Sequence, residues 1–144
     1  MTIEYITKDI TTVEKGLVVH GVNCQYRMGS GVALAIKNKW PAIFVRYLEC
    51  EAKLGNLDII SITDDLSVGN GYTQDSCGYD GERYASDVAL ASVLEKAVVF
   101  CLEHDVDLYI PRIGAGLGGL DWDNDVVPIL DQLDSECNIH VCDL

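Results

Sequence analysis

The chain is short of positive charge: 10 lysines and arginines stand against 23 aspartates and glutamates, giving a net charge of −13 over 144 residues. Nucleic acid and anionic membranes are recruited by lysine and arginine that displace counterions, so this balance excludes both as partners. Any phosphate that the chain binds is expected to be held by backbone. The Gly-Lys-Ser/Thr of a Walker loop is missing, and Gly29-Ser30-Gly31 lacks the third glycine and the strand-end acid of a dinucleotide fingerprint. The six cysteines (Cys24, Cys50, Cys77, Cys101, Cys137, Cys142) form no CxxC pair and no zinc-ligand spacing with the three histidines. They are expected to be reduced, mostly core-packing thiols of a cytoplasmic protein, with no metal and no cofactor. Met1-Thr2-Ile3-Glu4-Tyr5 has neither the basic nor the apolar region of an export signal, and no run approaches the roughly 18 apolar residues of a membrane span.

What is present is enough apolar sequence, 49%, to bury a core without staples, so one domain over residues 1–144 and a monomer are expected. Strand-like runs enriched in β-branched and aromatic residues lie at Ile3–Thr7, Leu17–Val22, Leu57–Ile62, Ser67–Thr73, Leu108–Pro111 and Ile139–Cys142. Helical patterns fill the gaps. Ser30 is placed to cap Gly31–Lys39, and Pro41 stops that helix at Trp40 and starts the next. The second helix carries Ile43, Tyr47, Cys50 and Leu54 on one face, with Gly55 as its stop. A third begins near Ser86 and shows Leu90, Leu94, Ala97 and Cys101; a fourth, bearing Pro128 in its first turn, is expected from Asn124. Alternating strands and helices, with Asp64-Asp65 as the one hairpin-like turn, imply an α/β fold: a mixed, mostly parallel six-stranded sheet in a three-layer α/β/α arrangement. Asp75–Arg83, with two glycines, is expected to be a surface loop beside the site.

Two glycine-rich segments follow strand-like runs and open helix-like stretches. The first is His20-Gly21-Val22-Asn23-Cys24 with Met28-Gly29-Ser30-Gly31-Val32-Ala33; the second is Pro111-Arg112-Ile113-Gly114-Ala115-Gly116-Leu117-Gly118-Gly119. Backbone amides at such junctions, aided by the helix dipole, favour anions. In open α/β sheets ligands bind outside the carboxyl ends of the strands, where both segments fall. Tight turns alone would explain one such segment; two suggest one ligand with two phosphates.

These segments, together with Asp121-Trp122 and the element order, resemble the macro domain family across the whole chain, in particular its small branch acting on ADP-ribose 1''-phosphate. The resemblance implies a small-molecule ligand, ADP-ribose or its 1''-phosphate. It implies that Asp9 accepts a hydrogen bond from the adenine amino group, with the Ile10 backbone alongside and Leu144 against the adenosine. Lys8 stands where the family has glycine before that aspartate. Asn23 would touch the distal ribose beside Gly21 and Val22. Met28, Gly29, Ser30, Gly31 and Val32 would clasp the diphosphate against Pro111, Arg112, Ile113, Gly114, Ala115, Gly116, Leu117 and Gly118. Read from the residues alone, Asp9 is equally a turn or cap residue.

The branches of the family differ in their catalytic groups. One removes ADP-ribose from glutamate with a lysine near the fourth strand and an aspartate after the second-loop Gly-Leu; here no lysine lies between Lys53 and Lys96, and Gly118 follows Leu117. A second carries an aspartate where Ala33 stands, and a zinc-dependent branch needs a Cys/His cluster that this chain lacks. The resemblance therefore leaves phosphomonoester hydrolysis, with a non-catalytic ADP-ribose reader as its rival. Asp121 is the candidate base or water-orienter, Asn23 the positioning group and His20 the acid. The bland alternatives are a helix cap for Asp121, a satisfied core residue for His20 and core packing for Cys24.

Overall fold

Gly16–Asn23 is apolar on both faces, the signature of a strand covered on both sides, and it forms the interior strand β2 of the sheet. A computed structural model describes residues 2–29, 31–75, 85–115, 118–133 and 137–144. The other strands are β1 (Thr2–Thr7), β3 (Leu57–Ser61), β4 (Leu66–Gln74), β5 (Leu108–Ile110) and β6 (Asn138–Asp143). They run in the order β1-β6-β5-β2-β4-β3, parallel throughout except for the antiparallel β3–β4 pair. That pair turns at Thr63–Asp65, where the Thr63 hydroxyl accepts from the Asp65 and Leu66 N–H groups. The mixed, mostly parallel six-stranded sheet expected from the sequence is thus the observed one.

Side chains alternate across β2. Leu17 and Val19 join a core under α3 (Asp87–His104) and α4 (Val127–Gln132), while Val18 and Val22 join one under α1 (Gly31–Lys39) and α2 (Pro41–Glu49). Helix α3 begins at a Ser86 cap whose hydroxyl accepts from the Ala89 N–H. Among the described residues no helix is long and apolar enough to cross a membrane.

Two helix boundaries differ from expectation. Helix α2 ends at Glu49 rather than running on through Leu54, because Cys50 turns to an extended conformation and the Tyr26 hydroxyl intervenes. That hydroxyl donates to the Cys50 carbonyl (2.9 Å) and accepts from the Ala52 N–H (3.2 Å). Gly55 is not a helix stop. Its N–H bonds to the Tyr72 carbonyl, and its own carbonyl accepts from the Ser92 hydroxyl and the Lys96 ammonium. The last helical segment starts at Trp122, not Asn124, with a wide π turn over Trp122–Val126 whose Val127 N–H bonds back to the Trp122 carbonyl. The widened turn sets Pro128, which has no N–H to donate, at the start of α4. Cys50 also departs from the core-packing expectation, lying 3.2 Å from both Asp58 and the Arg46 guanidinium. Ser30, Cys77 and all but Asp75 of the expected 75–83 loop lie outside the described residues.

Close approach of α3 to the sheet depends on Gly71. A Cβ there would stand 2.5 Å from Val93 Cγ1, a β-branched side chain with little room to turn away. Gly71→Ala is expected to lower stability by about 1–3 kcal/mol, measured as a fall in the urea midpoint with unchanged slope.

Candidate functional site

A cleft of about 910 Å³ opens where β2, β4, β5 and β6 end, the position that parallel topology reserves for ligands. Its volume lies in the range of small-molecule sites. One wall is the first glycine segment: Gly21, Val22, Asn23, Met28, Gly29, Gly31 and Val32 line it, and His20 reaches it from β2. The opposite wall is Pro111, Arg112, Ile113, Gly114 and Gly118, and Leu144 closes one side. Ser30, Gly116 and Leu117 lie outside the described residues. Asp9, Ile10, Ala115 and Asp121 are not among the lining residues.

The first wall is organised by Asn23. Its side-chain carbonyl accepts from the Gln25 N–H (2.9 Å), and its amide donates to the Arg27 carbonyl (2.9 Å), closing a five-residue loop. From below, the buried Tyr47 hydroxyl donates to the Asn23 carbonyl and accepts from the Arg27 N–H (3.2 Å). Burial pushes the Tyr47 pKa up, so this hydroxyl keeps its proton. Asn23 therefore serves the loop with its side chain. Beyond it, the first N–H groups of α1, at Gly31, Val32 and Ala33, have no carbonyl one turn back and are available to an anion.

The second wall is closed at its base. Leu120 N–H bonds to the Gly114 carbonyl (2.9 Å), and the Gly118 carbonyl accepts from the Ala85 N–H, pinning the loop to the β4–α3 connection. Glycine is required at two points: Gly114 has φ +81°, and a Cβ at Gly118 would stand 2.6 Å from the Gly114 carbonyl oxygen. Arg112 is fixed by Asp143, Nε to Oδ1 at 2.8 Å and a terminal nitrogen to Oδ2 at 3.1 Å. It also lies over Tyr5 and Trp122, with centroids at 5.4 and 5.3 Å. The pairing holds the Asp143 carboxyl below its ordinary pKa.

The polar candidates fall into distinct roles. His20 is buried, its Nε2 lies 2.6 Å from Asn70 Oδ1, and burial lowers its pKa to about 4. The imidazole is neutral near pH 7, and its Nδ1 is buried without a hydrogen-bond partner, so it is not a ready acid. Asp121 caps the last helical segment: its Oδ1 accepts from the Asn124 N–H (3.0 Å), and its own N–H donates to Asp125 (2.8 Å). Asp9 caps a short 3-10 turn, accepting from the Thr11 N–H (3.0 Å) and hydroxyl (2.7 Å), which lower its pKa. Cys24 is raised in pKa by burial and by the nearby Asp75, opposite to what a nucleophilic thiolate needs. Among the described residues no cluster of three or more His, Cys, Asp or Glu could hold a metal ion.

Sequence reasoning missed several lining residues, among them Tyr26, Arg27, Lys37, Phe44, Thr73 and Asp143. Arg27 was open to discovery, lying inside the first segment between Asn23 and Gly29. Thr73 was not, since it reaches the cleft only through the pairing of β4 with β2, where its hydroxyl backs Gly21.

No protein-family model matches the chain. It is 31% identical, over 99% of its length and 97% of the relative's, to a 17.5 kDa protein of the tk-vs intergenic region of Enterobacteria phage T4. It is 26% identical to the DNA ADP-ribosyl glycohydrolase of Mycobacterium tuberculosis over 85% of this chain, spanning 36% of that protein's length. Among solved structures, a Bacteroides thetaiotaomicron protein of unknown function superposes with TM-score 0.87 at 28% identity, covering 100% of this chain and 99% of the other. A Streptomyces coelicolor macrodomain protein superposes with TM-score 0.81 at 22% identity over 99% of both chains. The chain has the macrodomain fold. Within that fold the chain places both glycine loops at one end of a mixed six-stranded sheet.

The buried His20 makes the stability of the chain pH-dependent. The unfolded chain takes up a proton near pH 6.5, whereas the folded one resists until about 4, so stability falls as pH drops through that window. The loss should approach about 3 kcal/mol. Asp9 and Asp143, lowered in the folded state, lose their contributions only below their ordinary 3.8. His20→Gln, which keeps a donor for Asn70 but does not titrate there, is expected to flatten chemical-denaturation stability between pH 6.5 and 4.

Proposed function

We propose that this macrodomain binds ADP-ribose and slowly hydrolyses ADP-ribose 1''-phosphate to ADP-ribose and phosphate. The observation that carries the reading is the pair of glycine walls facing each other across one cleft, with the α1 amides on one side and the closed 114–120 loop on the other. A diphosphate between them would meet backbone donors at the start of α1, which suits a chain with so little positive charge. Two comparisons support the ligand class. A Thermosipho africanus DarTG structure in complex with ADP-ribose superposes with TM-score 0.76 at 18% identity, this chain covering 42% of it. The mycobacterial relative is named for ADP-ribosyl glycohydrolysis.

In the proposed reaction water attacks phosphorus, the bond from phosphorus to the 1'' oxygen breaks, and that oxygen takes up a proton as phosphate departs. Backbone donors that hold the phosphoryl oxygens would stabilise charge as it develops. His20 is neutral and bonded to Asn70, Asn23 serves its own loop, and Asp121 serves a helix end. With these side chains engaged, rate would come from positioning and charge stabilisation, which is why slow turnover is proposed. Removal of ADP-ribose from glutamate is disfavoured by the lysine-free span between Lys53 and Lys96 and by Lys96 donating to Gly55.

Calorimetry should rank ADP-ribose above ADP and AMP. A Cβ at Gly29 meets nothing within 4 Å, so Gly29→Glu is expected to keep the thermal midpoint while abolishing binding through bulk and charge in the cleft. Equal or undetectable binding of all three nucleotides by the unmodified chain refutes the site. Phosphate release from ADP-ribose 1''-phosphate tests turnover; binding with no release above background leaves a reader without catalysis.

For Asp121→Ala the capping geometry sets the expectation: a stability loss of about 1 kcal/mol with turnover within about twofold. A fall in turnover of roughly 10²-fold or more, the scale of a general acid–base group, would return Asp121 to the chemistry.

A further inference from the structure

Of the arginines among the described residues, Arg46 lies 3.2 Å from Asp58 and Arg112 holds Asp143, as expected where acids outnumber bases 23 to 10. Arg27 is the exception. Its guanidinium has no hydrogen-bond or ion-pair partner among the described residues, yet it lines the cleft. Its backbone is fastened at both polar groups: the N–H to Tyr47 and the carbonyl to the Asn23 amide. The backbone is tethered while the exposed guanidinium is uncommitted, and its planar fork suits a phosphate dianion.

Sheet order locates this clamp along the cleft. Asp143 ends β6 and Leu144 follows it on one side of β2, and Thr73 and Gln74 end β4 on the other. The segment carrying Arg27 leans to the β4 side, because Cys24 N–H bonds to the Gln74 carbonyl and the Tyr26 hydroxyl holds the end of α2. Arg27 therefore stands away from the Leu144 side, with the two glycine walls between.

We infer that Arg27 determines specificity for a ligand bearing a phosphate at the end remote from adenosine, a phosphomonoester in preference to its neutral-ended counterpart. This rests on the proposed ADP-ribose reading, with adenosine on the Leu144 side. The charge-assisted contact makes the phosphorylated ligand the tighter one, and its absence leaves the diphosphate contacts in place.

Calorimetry on the full chain with ADP-ribose and ADP-ribose 1''-phosphate, at two salt concentrations, tests this. The unmodified chain is expected to prefer the phosphorylated ligand by roughly tenfold or more, with the preference shrinking at high salt. Arg27→Met should remove that preference while ADP-ribose affinity stays within about twofold and the thermal midpoint holds; Arg27→Lys should restore part of it. Equal loss of both ligands in Arg27→Met, or an intact preference, overturns the inference while leaving ADP-ribose binding standing. Failure of the unmodified chain to bind either ligand refutes the ADP-ribose reading and the inference together.

Discussion

The constraint on which the rest depends is that β2 lies inside the sheet with parallel partners, β5 and β4, on both sides. Parallel neighbours cannot be joined by hairpins; each needs a crossover, and helices supply it. The carboxyl ends of β2, β4, β5 and β6 consequently emerge at one edge, and every loop that could meet a ligand there is gathered into a single cleft. Leu17, Val18 and Val19, with no exposed surface, are the energetic side of the same arrangement. Their burial on both faces depends on α3 and α4 covering one side and α1 and α2 the other.

Charge is handled locally within this frame. A chain of net charge −13 repels anions at long range, so an anion site in it must work at short range, through amides and individual cations. The α1 N-terminus provides amides, while the second loop is closed on itself by its own backbone bonds. Arg112 is spent on Asp143 and two aromatic rings, which ties the loop after β5 to the end of β6. Asn23, the polar residue most exposed to a catalytic reading, instead forms the loop that carries Arg27. Polar groups around the cleft thus divide into those that build its walls and those left free to meet a ligand.

Much of the fold was legible because its signals are local. β-branched runs marked six strands, Pro41 marked the break between α1 and α2, and Ser86 marked the α3 start. Where local rules failed, a distant group had intervened. Helix α2 stops at Glu49 because Tyr26, more than twenty residues earlier, captures the Cys50 carbonyl. The last helix begins at Trp122 because Asp121 and Asp125 cap it jointly and a π turn absorbs Pro128.

By itself the sequence determined the strand and helix alternation, the two glycine loops and the shortage of cations, since each is a property of residue type and spacing. It also held two meanings each for Asp121, His20 and Asp9. Only the tertiary structure decided what each of them touches within the chain, because the partners of a carboxylate or imidazole are whatever stands within about 3 Å of it. Asp121 and Asp9 have helix-start amides at that distance, and His20 has Asn70 and a buried site that refuses a proton. Arg27 has no such partner within the described chain, a fact that spacing could not reveal and packing does.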